Sequence, residues 1–114
     1  MEPTFFDSPE AFRAWLEAHH TTERELWIGF HQQSSGNAGL SYLSAVDEAL
    51  CFGWTDGPRK SIDGATYKIR FIPRKPRSQW SAVNVHRADQ LIRLSLMRPA
   101  GLAAFARRKP APAH

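Results

Sequence analysis

Between Ala49 and Ser81 the chain changes its structural period twice, and that leaves few folds open to it. Leu43, Val46, Ala49 and Leu50 recur at helical spacing behind Ser41, a good capping residue, while Asp47 and Glu48 fall on the outer side. Gly53 follows Phe52 where a left-handed helix terminator belongs. Trp54–Asp56 then reads as a short strand leading into the turn residues Gly57 and Pro58, and Asp63-Gly64 is a hairpin signal. Thr66 to Ile72 alternates, with Tyr67, Ile69 and Phe71 on one side and Lys68 and Arg70 on the other. That is a half-buried strand with a charged outer face. Pro73 and Pro76 break it, and Ser81 is placed to cap a further helix whose apolar stripe is Val85, Ala88, Leu91 and Ile92. A helix, a hairpin and a second helix in this order predict a sheet covered by helices.

The flanking segments extend the same pattern. Thr4–Phe6 reads as a short strand. Asp7-x-x-Glu10 has capping-box spacing with Pro9 near the first helical position, and Phe12, Trp15, Leu16 and His19 share one face of the helix that follows. Leu26, Trp27, Ile28 and Phe30 form an almost continuous apolar run, the mark of a central strand, with Gly29 permitting a close approach by a neighbour. Residues 32–39 read as a polar loop, and Pro99 can start a short last helix carrying Leu102 and Phe105. The expected architecture is α+β. It is one domain over residues 1–106, in which a small, mainly antiparallel sheet of three to four strands (near 4–6, 26–32, 54–56 and 66–72) is covered by three to four helices (8–20, 41–52, 81–95 and the short one after Pro99). Residues 107–114 read as a flexible, basic Pro/Ala tail.

A length of 114 residues suits one domain, and four Trp, seven Phe and two Tyr supply bulky material for its core. The net charge of +4 hides a split: residues 1–56 carry two basic and nine acidic side chains, residues 57–114 thirteen basic and two acidic. Such asymmetry fits either a dipolar domain whose halves partly neutralise each other or a basic surface that meets an anion. Cys51 is the only cysteine, so no internal disulfide forms, and it sits in an apolar run as a small buried hydrophobe. The five histidines show no metal-ligand spacing, and no nucleotide-binding glycine motif occurs, so no metal and no cofactor is expected. There is no signal-peptide pattern and no apolar run of transmembrane length, which makes a cytoplasmic protein the default expectation.

The strongest candidate site is the loop Arg74-Lys75-Pro76-Arg77-Ser78-Gln79-Trp80-Ser81. Guanidinium groups hold phosphate or carboxylate oxygens in a fork, and a helix starting at Ser81 adds free N–H groups and a positive dipole end. Ser78, Ser81 and Asn84 add polar groups, Trp80 an aromatic face, and the prolines stiffen the loop. The plainer alternative is a solvated loop in which Trp80 packs into the core and Ser81 only caps. Trp54 and Asp56, with Arg59 and Arg70, complete the candidate set. Asp56 can act as an acid or base, as a partner of Arg59 or Arg74, or as an ordinary turn residue.

Several motifs together resemble one known family. They are Trp15-Leu16 with His19-His20, Glu25-Leu26-Trp27, Ser41-Tyr42, the run Asp47-Glu48-Ala49-Leu50-Cys51-Phe52-Gly53-Trp54-Thr55-Asp56-Gly57, the run Arg70 to Ser81 with Asn84, and Met97-Arg98-Pro99-Ala100-Gly101-Leu102. On these the chain is similar to the bacteriocin-protection family, also called YdeI/OmpD-associated. The resemblance implies a small bacterial α+β protein without a known cofactor, acting in resistance to bacteriocins, cationic peptides or related stress. It implies no catalytic residue. It also implies a shortened member lacking the family's usual C-terminal helical region, with apolar surface near Leu102 and Phe105 for a partner or a homodimer.

The sequence therefore points first to a non-enzymatic protein that binds an anionic small molecule or an acidic partner surface through the Arg/Trp loop. One alternative is nucleic-acid binding, motivated by the basic half, Trp80 and the Lys68/Arg70 strand face. Another is a small enzyme with Asp56 as base and arginines as substrate clamps.

Overall fold

A computed structural model describes residues 2–32 and 39–110. Seven elements follow in order: α1 (Pro9–His19), β1 (Leu26–His31), α2 (Tyr42–Cys51), β2 (Trp54–Ser61), β3 (Thr66–Pro73), α3 (Ala82–Arg93) and α4 (Pro99–Arg107). The fold is α+β; among the described residues it has four helices and an antiparallel three-stranded sheet of order β1-β3-β2. Of the loop expected at 32–39, residues 33–38 lie outside the described residues.

Two strand expectations need correction. Thr4–Phe6 does not add a fourth strand; Thr4 makes a single parallel bridge to Ile28. The apolar run at Leu26–His31 is an edge strand, and the centre of the sheet is β3. Trp27 owes its partial burial to the stems of Lys60 and Lys68, whose ammonium groups lie 5.5 and 4.9 Å from its ring centre, rather than to a second layer. Gly29 is covered by Phe5, whose ring would lie 2.4 Å from a Cβ placed there.

β2 runs past the expected stop at Asp56 to Ser61. Gly57 and Pro58 form no turn. They fall where the β2–β3 register shifts, between Asp56 and Arg59. Proline is tolerated there because β2 is an edge strand and a bulge needs no ladder donor. The hairpin itself is as expected, but its turn is held by the Asp63 carboxylate. Its Oδ1 accepts from the Ala65 and Thr66 amides at 2.8 Å each and from the Thr66 hydroxyl at 2.9 Å. These bonds hold the Asp63 carboxyl below its ordinary pKa.

α2 packs on the sheet and against the other three helices, so that α3 and α4 reach the sheet mainly through α2. Phe12 of α1 meets Phe71 edge-on at 5.7 Å, and Trp15 meets Trp54 at 5.7 Å. Phe12, Leu16, Ile28, Phe30, Phe71 and Trp54 are all 1% exposed or less. Burial of each such side chain contributes about 1.5–3 kcal/mol. Among the described residues, the opposite face, bearing Trp27, Lys68 and Arg70, carries no helix.

α2 and α4 meet through glycine. Gly53 takes φ +77° as the terminator of α2. A Cβ on Gly101 would sit 2.2 Å from the Cys51 carbonyl oxygen, so only glycine lets α4 come this close. The Arg98 amide donates to that same carbonyl at 2.9 Å and satisfies a helix-end acceptor. No helix among the described residues is long and apolar enough to cross a membrane.

Candidate anion-binding site

The path of the Arg74–Ser81 loop follows from three local constraints. The Arg74 amide donates to the Gly53 carbonyl at 2.9 Å, which ties the loop's start to the end of α2. Pro76 and Arg77 then form the corners of a turn closed by the Ser78 amide on the Lys75 carbonyl, 3.2 Å. Arg77 sits at φ +59°, the positive-φ corner that a type II turn usually gives to glycine. A left-handed backbone costs a non-glycine residue about 1–2 kcal/mol. Finally, Ser81 caps α3, its hydroxyl accepting from the Asn84 amide at 3.1 Å. Ala82 and Val83 are exposed at the positive end of that helix.

Within this loop Arg74 lies across Trp80, guanidinium carbon to ring centre 4.0 Å. Trp80 is 7% exposed and rests edge-on against Phe105 at 5.5 Å. Burial pushes the Arg74 guanidinium below its ordinary pKa, and the nearby Asp56 carboxylate opposes the shift. Three polar atoms here are buried with no hydrogen-bond partner: Arg74 Nε, Ser78 Oγ and Trp80 Nε1. A buried polar group left unsatisfied costs about 1–3 kcal/mol. Lys75 and Arg77 are exposed at the tip.

The segment after α4 braces the loop from behind. The Lys109 amide donates to the Ser78 carbonyl at 2.9 Å. Arg108 stacks on Phe105 at 3.9 Å and donates to its carbonyl at 2.7 Å. Of the residues that composition assigns to a loose tail, Arg108 is thus held by Phe105 and Lys109 by the loop; residues 111–114 lie outside the described residues. A groove of about 1080 Å³ runs between the end of the loop, the first turns of α3 and this brace, lined by Trp80, Ser81, Asp89, Phe105, Arg108 and Lys109 among others, but not by Arg74, Lys75, Arg77 or Ser78.

Asp56 borders the site without entering the loop. It accepts a hydrogen bond from the Tyr42 hydroxyl at 2.6 Å, which raises the Tyr42 pKa to about 12. The carboxylate is committed to this phenol and to the field of Arg74, which makes it a positioning group.

The remaining candidates go elsewhere. Trp54 is 1% exposed and belongs to the core against Trp15. Arg59 lies over the Tyr67 ring at 3.7 Å, paired with Ile69 five residues before the loop begins. Arg70 projects from the opposite sheet face, where its Nε donates to Glu25 at 2.5 Å. Of the expected apolar patch, Leu102 is 44% exposed, whereas Phe105 is taken up by Trp80 and Arg108. The residues missed from sequence are Tyr42, Arg108 and Lys109. Each joins the site only through folding, although Tyr42 stands directly after the Ser41 cap.

No group of His, Cys, Asp or Glu among the described residues could hold a metal ion. Residues 4–104 match the model of a family described as a domain of unknown function, DUF8412. The chain belongs to this family. The match covers Tyr42, Asp56 and the Arg74–Ser81 loop and ends before Phe105, Arg108 and Lys109, and its description names no activity. No curated protein and no solved structure matches the chain.

Proposed function

We propose that this chain is a non-enzymatic binding protein that holds an anionic ligand, bearing a phosphate, sulfate or carboxylate group, in the Arg74–Ser81 loop. The observation that carries the reading is the set of three buried, unpartnered polar atoms in one loop. Arg74 Nε, Ser78 Oγ and Trp80 Nε1 can each donate a hydrogen bond, and an anion accepts them. The left-handed Arg77 adds to it. Strain at a loop tip that also bears exposed cations is characteristic of a ligand clamp.

On this reading Lys75 and Arg77 attract the ligand, and Arg74, braced on Trp80, receives it. A role in resistance to a bacteriocin or cationic peptide, which the motif resemblance implies, would then run through the bound anion, because a basic loop repels a cationic peptide. The experiment is calorimetric titration with inorganic phosphate, comparing the parent chain with a Lys75→Glu/Arg77→Glu double variant. Both side chains are exposed, so the fold survives, as circular dichroism can verify. Affinity is expected to fall at least tenfold; an unchanged Kd rejects the site.

A further inference from the structure

The sheet face without helices carries a second, separate constellation. Trp27 stands on β1 with the ammonium groups of Lys60 and Lys68 at 5.5 and 4.9 Å from its ring centre. Arg70 is its cross-strand partner. Two positions along β1, about 7 Å away, Phe5 lies flat over Gly29 and is 42% exposed. His31 stands beside Phe5, ring centres 5.2 Å apart, and its Nδ1 is buried without a partner. Two aromatic rings and three cations thus share one open surface, with Glu25 as the acid that pairs with Arg70.

We propose that this face binds single-stranded nucleic acid, with unpaired bases stacking on Trp27 and Phe5 and phosphates meeting Lys60 and Lys68. The charge sign selects a polyanion, and the two rings select one whose flat groups are free to stack. A duplex hides its bases' faces, so it can use only the lysines here. The ammonium groups over Trp27 fit this role: a base displaces them from the ring, and their flexible stems carry them outward to the phosphates flanking it. Arg70 is held by Glu25 and positions the rim.

The site is independent of the Arg74–Ser81 loop, which lies beyond the end of β3 and turns toward α3 and α4. The test is fluorescence anisotropy of a labelled oligothymidylate and of a duplex of equal length, against the full chain at low salt. Single strands are expected to bind more tightly than the duplex. Trp27→Ala should weaken single-strand binding roughly 5- to 150-fold, the range for loss of one stacked base. Trp27→Phe, which keeps a ring, should restore most of it and guards against misfolding of the alanine variant. Lys60→Glu should lower the salt slope by about 0.7.

Arg77→Glu should leave this affinity unchanged. Three results would overturn the proposal: no binding at low salt, equal affinity for duplex and single strand with no effect of Trp27→Ala, or loss of binding through Arg77→Glu alone. The last would assign the polyanion to the loop. Phosphate affinity unchanged by Lys75→Glu/Arg77→Glu, with oligothymidylate binding present and dependent on Trp27, would instead reject the loop reading and leave this one standing.

Discussion

The junction of α2 and α4 and the Arg74–Ser81 loop lie next to each other and share Gly53, yet they are built on opposite terms. At the junction every feature serves closeness. Gly53 ends α2 at φ +77°, Gly101 sits against the Cys51 carbonyl, and the Arg98 amide satisfies that same oxygen. In the loop three polar atoms are buried unpaired and an arginine occupies a backbone region suited to glycine. Glycine stands where packing needs it and is missing where a turn alone would prefer it. Outside the loop, Ser95 also takes a left-handed backbone at φ +60° and His31 Nδ1 is also buried unpaired, but only in the loop do a left-handed residue and several unpaired polar atoms meet beside cations and an indole.

The largest effect expected from this contrast is at the junction. Gly101→Ala puts a methyl group into backbone atoms of Cys51 and Leu50 that cannot swing away. Overpacking of this kind should cost about 3 kcal/mol, lowering the melting temperature by on the order of 10 °C. A calorimetric melt unchanged within a degree or two would show that α4 does not dock as described.

Arg77→Gly sharpens the other side. Removing the left-handed arginine relieves about 1 kcal/mol, and the extra freedom glycine gives the unfolded chain offsets most of it. Stability should therefore stay nearly constant in urea unfolding, while phosphate affinity falls several-fold. Marked destabilisation would mean that the Arg77 side chain serves the fold rather than a ligand.

At the border between the regions, Tyr42 should titrate late. Its folded pKa is raised from 10.0 to about 12 by the bond to Asp56. The resulting stabilisation is complete below the unfolded value and disappears as pH rises through the folded one. Alkaline absorbance titration of Tyr67→Phe protein, which leaves Tyr42 as its single tyrosine, should show a midpoint near 12. In Asp56→Asn the midpoint should return toward 10.0.

The smallest effect is at the far hairpin. The Asp63 carboxyl is held below its ordinary pKa by the amides of Ala65 and Thr66 and the Thr66 hydroxyl. Its contribution is present above the unfolded carboxylate pKa of about 3.9 and is lost as pH falls through the lower folded value. Asp63→Asn should flatten the acid limb of the stability profile slightly and leave phosphate binding untouched. An equally steep acid limb in both proteins would argue against this turn geometry.

What the sequence made legible was local. Ser41 and Ser81 cap helices because a hydroxyl three residues from an amide can do little else at those positions, and Gly53 ends α2 for the same kind of reason. The alternation at Thr66–Pro73 marks β3 because inward and outward residues differ in polarity. The run around Trp27 misleads for a physical reason. Lysine stems and the Phe5 ring cover β1 from elsewhere in the chain, so an edge strand acquires the composition of a central one.

The loop was legible as a basic, aromatic segment, but its mates were not. Tyr42 meets Asp56 across α2 and β2, and Lys109 meets Ser78 across α3 and α4. Arg59 and Arg70 are near the loop in sequence and apart from it in space, because a β-strand carries successive side chains to opposite faces and away along its length.

The most direct measurement is nitrogen-edited NMR of the four tryptophan indole N–H groups during titration with inorganic phosphate, with the Trp80 signal assigned by its loss in Trp80→Phe. A saturable shift of the Trp80 indole is expected together with the amides of Ser78, Ala82 and Val83, while Trp54, Gly53 and Gly101 stay still. A Trp80 indole that does not move at saturating phosphate, or shifts that grow without saturation over the whole basic surface, would contradict binding in this loop.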